Sequence, residues 1–244
     1  MKLSVFTVAL IIAFGCGGEK KVQPEALTEV LDKAIKENTK LKEDFDGKLD
    51  ELLTLDIASA ISGYPASEAK KSPETDIEKE INKISVQYSW DKTNRTRQME
   101  IMGRKIDAPV SDIVSLSWLK AMSLEQFKKE NRNLTEEEVA AANQAMQSKV
   151  SEMEKDGKIT KDQGNLASSI GTNAMKNISY EEVNNVGDYA VFVNQKFAGM
   201  PTRDLKVFYK GLSFTLSVDL SDDAAINDEK AIKLAQMIIA EKLK

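Results

Sequence analysis

The chain predicts an α+β fold, an antiparallel sheet packed by helices, with a helical insertion in the middle of the chain. Three observations carry this prediction. Apolar and polar residues alternate with a period of two in separated regions, around Val86–Trp90 and Leu205–Val218, the pattern of strands with one face buried. A long polar stretch between them, about 120–177, is rich in helix formers. The last residues, from Asn227 to Lys244, place apolar side chains at helical spacing.

Taken in order, Pro24 to about Asp46 predicts a helix, because Leu27, Leu31, Ala34, Asn38, Leu41 and Phe45 recur at spacings of four and three. It reads as a helix packed on its own domain or as a short coiled-coil stalk; fewer than three heptads are present and one core position is Asn. Leu52 to Ser62 holds a second helix, capped by Thr54 or Asp56, with Ile57 and Ile61 on its apolar face and Gly63 and Pro65 closing it. Ala66 to Thr75 is a polar loop. Ile84, Val86, Tyr88 and Trp90 then alternate with Ser85, Gln87 and Ser89 and should share one sheet face. Asp91 to Asn94 makes a turn, and Arg95 to Met102 is a return strand.

Ser111 to Met122 fits a helix or a strand. Thr135 and Glu138 form a capping-box pair ahead of an Ala-rich helix that runs to about Lys155. Gly157 stops it, and a weaker helix from Asp162 to Met175 is broken by Gly164 and Gly171. Gly187-Asp188-Tyr189 leads into a strand from Ala190 to Asn194. Leu205, Val207 and Tyr209 alternate up to Lys210-Gly211, and Leu212, Phe214, Leu216 and Val218 alternate after it, which is a hairpin. Asn227 caps the final helix, Asp228 and Glu229 lie in its first turn, and Lys242 and Lys244 lie at its end. Ile232, Ala235, Ile239 and Leu243 form its apolar stripe, widened by Met237 and Ile238.

The first fifteen residues have the layout of a secretory signal: Lys2, then an uncharged apolar run from Leu3 to Phe14, then the small Gly15. The run is too short to span a bilayer, which takes about twenty apolar residues. Ala13-Phe14-Gly15-Cys16 resembles the lipobox of bacterial lipoproteins. That resemblance implies cleavage before Cys16, with diacylglycerol and a further acyl chain such as palmitate on the cysteine. Cys16 is the only cysteine in the chain, and a lone exposed thiol on an exported protein is otherwise an oxidation liability. Gly17-Gly18-Glu19-Lys20-Lys21 follows as a flexible polar tether. The expected organisation is thus a signal peptide over 1–15, an anchor and tether over 16–23, and a single domain over 24–244. The expected address is the cell envelope, at the outer membrane on its periplasmic or surface face.

Composition removes several functions. Cleavage leaves 229 residues and moves the net charge from −5 to −6, which argues against a nucleic-acid partner. There is no histidine, so there is no His general base, no Ser-His-Asp or Cys-His constellation and no His metal ligand. With Cys16 committed to lipid, zinc and haem sites of the usual kinds are also excluded. Carboxylate chemistry, Ser-Lys chemistry, calcium binding through oxygen, or no catalysis remain. The expectation is a non-enzyme with no cofactor.

Candidate sites are few. Asp219, Asp222, Asp223 and Asp228 supply the hard oxygens that calcium takes, but the spacing fits no EF-hand, and a solvated loop with charges at a helix N-terminus explains them. Glu181, Glu182 and Asp188 could form an acid pair for glycoside hydrolysis, although acids are common in the chain. Asp156-Gly157-Lys158 resembles a calcium-loop fragment but also a helix stop. Tyr88, Trp90 and Trp118 line a ligand pocket or, as strand aromatics more often do, belong to the core. Asn94, Asn133 and Asn177 head chance glycosylation matches.

Part of the chain resembles the α+β sandwich of the PsbP and Mog-type family, as found in exported bacterial lipoproteins of unknown function. The residues that carry it are Gly187, Asp188, Tyr189 and Ala190, the hairpin from Leu205 to Leu220, the helix from Asn227 to Leu243, and earlier Leu55 to Gly63 and Ile84 to Trp90. The resemblance implies a sheet covered by helices and brings no catalytic residue. Three functions remain in view. The first is a non-catalytic anchored lipoprotein binding an envelope protein or small ligand. The others are a structural or assembly factor docking through its helices, and a carboxylate-dependent envelope hydrolase.

Overall fold

A computed structural model describes residues 42–72, 84–91, 95–101, 104–197 and 200–243. The expected signal, Cys16, the tether, most of the expected Pro24–Asp46 helix and Asn94 lie outside the described residues; of that helix, residues 42–46 are described, with 42–44 helical and 45–46 already in a turn. The architecture is α+β: one antiparallel sheet of seven strands packed with helices.

The sheet runs in the order β1 (Lys70–Ser72), β2 (Ser85–Trp90), β5 (Asp112–Ala121), β9 (Leu212–Asp219), β8 (Met200–Tyr209), β7 (Tyr189–Phe197), β6 (Ser179–Val183). The remaining strands, β3 (Thr96–Ile101) and β4 (Arg104–Pro109), form a separate hairpin. One expectation is corrected and one open choice is decided. The strand after residue 95 does not return along β2, because β2 pairs with β5 instead. The ambiguous stretch around 112–121 is a strand, with Val114 and Leu116 buried in the core at alternate positions.

Register shows how the two faces divide. One cross-strand row reads Val86, Leu116, Leu216, Leu205, Phe192. The next row, one residue along, reads Gln87, Ser115, Ser217, Asp204, Val193. Side chains of neighbouring rows point to opposite faces, so one face is apolar and the other polar. Val86, Tyr88 and Trp90 share the apolar face as expected, whereas Ile84 sits one residue ahead of the strand and is exposed.

The apolar face is covered by α1 (Leu49–Leu52), α2 (Leu55–Ser62) and α6 (Ala224–Lys242), with Leu52, Leu53, Ile57, Ile61, Leu234 and Ile238 buried against it. Thr54 caps α2 by accepting from Ile57 N at 3.3 Å, and Gly63 ends it with φ 82°. Lys230 of α6 donates to the Ile61 carbonyl at 3.0 Å, satisfying an orphan acceptor at the α2 C-terminus. The cap of α6 is Asp223, which accepts from Ala225 N at 2.9 Å. Asn227 is not the cap: inside the helix, it binds Leu220 N and Ser221 O of the incoming chain. With the start moved upstream, the buried stripe is Ala231, Leu234, Ala235, Ile238 and Leu243, while Ile232, Met237 and Ile239 are half-buried.

Between β5 and β6 come α3 (Leu124–Glu130), α4 (Glu136–Lys155) and α5 (Lys161–Lys176). The Thr135–Glu138 capping box forms in both directions, and Gly157 takes φ 66° at the stop. Gly164 and Gly171 do not break α5. A Cβ on Gly164 would overlap Glu154 and Val150, and one on Gly171 would overlap Met146. These glycines let α5 lie close against α4, so the expectation of two breaks is overturned by helix packing. Strand β6 also replaces a segment that the sequence left unassigned.

Candidate functional site

The polar face of the sheet carries two adjoining rows, Ser85, Ser117, Thr215, Lys206, Val191 and Gln87, Ser115, Ser217, Asp204, Val193. Helix α3 covers one end of it. Phe127 is buried there between Phe208 at 5.6 Å and Tyr189 at 6.0 Å between ring centroids. Beyond α3 the face opens into a cavity of about 410 Å³, within the range of small-molecule sites.

Lys206 and Asp204 stand on its floor, two residues apart on β8 and hence on the same face. Lys206 donates to Asn131 Oδ1 at 2.8 Å, and Asn131 in turn donates to the Phe127 carbonyl at 2.8 Å. Asp204 accepts from the Ser217 hydroxyl at 2.5 Å. Burial lowers the ammonium pKa of Lys206, and the neighbouring Lys120 lowers it further. Burial likewise raises the pKa of Asp204, against the opposing hydrogen bond from Ser217 and the charge of Lys206. Both charges are therefore held at a desolvation cost, which a fold does not need for stability.

The cavity rim is set by a β-bulge. Ser117 faces Thr215 and Lys120 faces Ser213, so β5 has one residue more than β9 over this interval. The extra residue returns Leu119 to the core and leaves Trp118 53% exposed at φ 59°. A bulky side chain at positive φ is a conformational outlier, and such strain concentrates at functional positions. The bulge is held by Trp118 N donating to the Ile84 carbonyl at 2.8 Å, and Lys120 Nζ lies 5.7 Å from the indole centroid.

A larger cleft of about 1020 Å³ adjoins the first through Asp204, Gln195 and Ile178. It forms where the sheet forks. The β8–β9 ladder stops at Asp204–Ser217, while β8 continues along β7 to Met200 and β9 continues along β5 to Asp219. The charges in the fork are already paired. Arg203 binds Asp228 at 2.8 Å, Glu181 at 2.9 Å and Asn194 at 2.7 Å, with its guanidinium 4.2 Å from the Phe192 ring centroid. Arg97 clasps both oxygens of Asp219 at 2.7 Å. Arg95 reaches Asp219 at 3.0 Å, Asp222 at 3.2 Å and the fully buried Asp112 at 2.6 Å, and Tyr64 donates to Asp112 at 2.6 Å.

The acids singled out in the sequence are thereby reassigned. Asp219 ends β9 and Asp228 lies in α6, each with its oxygens on an arginine from β3 or β8, while Asp222 is exposed and shares Arg95, and Asp223 is the exposed cap of α6. Glu181 and Glu182 are adjacent on β6 and point to opposite faces, Glu182 accepting from Tyr189 at 2.5 Å. Asp188 accepts from Lys210 N at 2.7 Å and fixes the β8–β9 turn. Asp156 pairs with Lys158 at the helix stop. Among the described residues, no group of three or more acidic, cysteine or histidine side chains is arranged to hold a metal ion.

Tyr88 and Trp90 lie in the core, Trp90 donating to the Pro65 carbonyl at 3.1 Å, while Trp118 is on the rim of the opposite face; the three aromatics do not meet. Asn133 is occupied structurally, exchanging two hydrogen bonds of 2.9 Å with the backbone of Tyr180, and Asn177 is exposed. Sequence reading missed Lys206, Asp204, Asn131, Lys120 and Tyr180. Their only local signal was two charges spaced two apart in a strand, which is the ordinary look of a solvated face. No protein-family model, curated protein or solved structure matches the chain.

Proposed function

We propose that this chain is a non-catalytic envelope lipoprotein, exported by residues 1–15 and held at a bacterial membrane by lipid on Cys16. Its domain presents the polar sheet face as a binding surface for a small ligand. The observation that carries the binding part is the 410 Å³ cavity floored by Lys206 and Asp204, two half-buried charged groups whose hydrogen bonds go to Asn131 and Ser217. The anchoring part is supported by the sequence around Cys16, and no helix among the described residues is long and apolar enough to cross a membrane. The carboxylate-hydrolase reading is disfavoured because the acids lining the fork are held by arginines.

Metabolic labelling with a clickable fatty acid tests the anchor. Label on the native chain and none on Cys16→Ala is expected; label on neither refutes it. Native mass spectrometry of protein released gently from its membrane tests the binding. A small bound species is expected, reduced in Lys206→Met. Its absence from the native protein, or its persistence in the variant, counts against the cavity.

The docking reading is favoured by one observation. Leu166 and Ile170, one helical turn apart on α5, are 62% and 60% exposed, on the side away from the glycines that meet α4.

A further inference from the structure

We infer that the cavity under Trp118 takes a saccharide, with one sugar ring resting on the indole and its hydroxyls bound by Lys206, Asp204 and the β9 hydroxyl row. This inference rests on the polar face being a ligand-binding surface and names the class of ligand.

Three observations point to it. The first is the platform. A pyranose ring has a face of C–H bonds that packs on an aromatic ring, so a sugar site needs an aromatic side chain held out in solvent rather than buried. Trp118 is such a side chain, kept outside by a bulge that costs a left-handed backbone conformation. Its neighbour in chain, Leu119, is buried, so the bulge separates a core residue from a displayed one.

The second is the balance of donors and acceptors. Sugar hydroxyls donate and accept together, which suits a site holding both kinds of group with little net charge. Lys120, Lys206, Glu130 and Asp204 all line this cavity, and Ser213 and Thr215 line it from β9, which runs between β5 and β8. Lysines donate only, carboxylates accept only and hydroxyls do both, so one wall offers every hydrogen-bonding role. A site for a simple anion would show an excess of cations. A site for a lipid or an apolar peptide would show an apolar pocket, whereas these strands put their apolar row on the other face.

The third is shape. The cavity continues through Asp204 and Gln195 into the larger cleft, so the floor is a groove along β8 and β9 rather than a closed pit. That geometry accepts a chain of several rings, of which the one at Trp118 is stacked.

Isothermal titration of the full-length protein with chitotetraose, cellotetraose and maltotetraose tests this, with tetra-alanine and inorganic phosphate as comparison probes. Binding of at least one oligosaccharide is expected. Trp118→Ala and Lys206→Met should each weaken it about tenfold, and Trp118→Tyr, which restores an aromatic face, should recover most of the loss. Trp118 is 53% exposed, so its two variants keep the core intact. No heat with any of the three saccharides overturns the proposal, as does saccharide binding that Trp118→Ala leaves unchanged. Binding of tetra-alanine or phosphate that Lys206→Met abolishes, without saccharide binding, overturns the sugar assignment while leaving the polar face as a ligand site. If no probe binds and native mass spectrometry shows no bound species, the ligand-binding reading falls with it.

Discussion

The two faces of one sheet differ in nearly everything but their backbone. On the first, Val86, Leu116, Leu216 and Leu205 form a row under α2 and α6. On the second, the adjoining row is Gln87, Ser115, Ser217 and Asp204, and among the described residues a helix covers one end. The same hydrogen-bond ladder supports both. The contrast separates what folds the protein from what it displays: the first face removes apolar area from water, while the second holds charges that desolvation disfavours.

Substitutions should break this contrast in order of size. Phe214→Ala, in the fully buried row facing α6, should cost about 3–5 kcal/mol, read from urea unfolding. A loss under about 1 kcal/mol would mean that the helix layer is not the main source of stability. Lys206→Met on the opposite face should change stability by less than about 1 kcal/mol, with any change toward stabilisation, while binding falls. Because burial lowers the Lys206 pKa, charging it works against folding. The native protein should therefore gain stability as pH rises through the folded-state pKa toward 10.5, and the Met variant should lack that gain. A clear destabilisation by Lys206→Met would move the residue from the display side of the comparison to the structural side.

The smallest effect lies on the α4–α5 hairpin. Glu138 is held down to about 2 by Arg132 and by the Thr135 backbone amide. Its contribution to the start of α4 is present above its usual value of 4.5 and is lost as pH falls from 4.5 toward 2. Amide exchange at residues 136–139 should rise over that window while the sheet amides stay protected. Simultaneous loss of both would show that the hairpin and the sheet melt as one unit.

How much was legible depends on how local each signal is. The Gly187-Asp188 step was visible in sequence, and its reasons are visible in structure. Gly187 takes φ 59° with Phe208 O only 2.5 Å from where a Cβ would stand, and Asp188 binds the turn at Lys210. The caps at Thr54 and Thr135 depend on residues within one helical turn, so they were readable too. The cap of α6 was misplaced because Asp223 and Asn227 are both good capping residues, and only the path of the incoming chain decides between them. Gly164 and Gly171 look like breaks in the sequence because a glycine that weakens a lone helix looks the same as one that admits a neighbour. The place of the acids at 219–228 around a helix start was legible, but their arginine partners were not, because Arg95, Arg97 and Arg203 lie far away in the chain.

Fold class, the order of most elements and the buried rows of β2, β8 and β9 were legible in the amino-acid pattern. Those follow from periodicity, which depends only on the geometry of one helix or strand. Only the folded chain settles that β2 pairs with β5, that the sheet forks between β8 and β9, and that a bulge brings Trp118 to the cavity lined by Lys206 and Asp204. Those facts depend on register between strands far apart in the chain, and a shift of one residue would exchange the two faces.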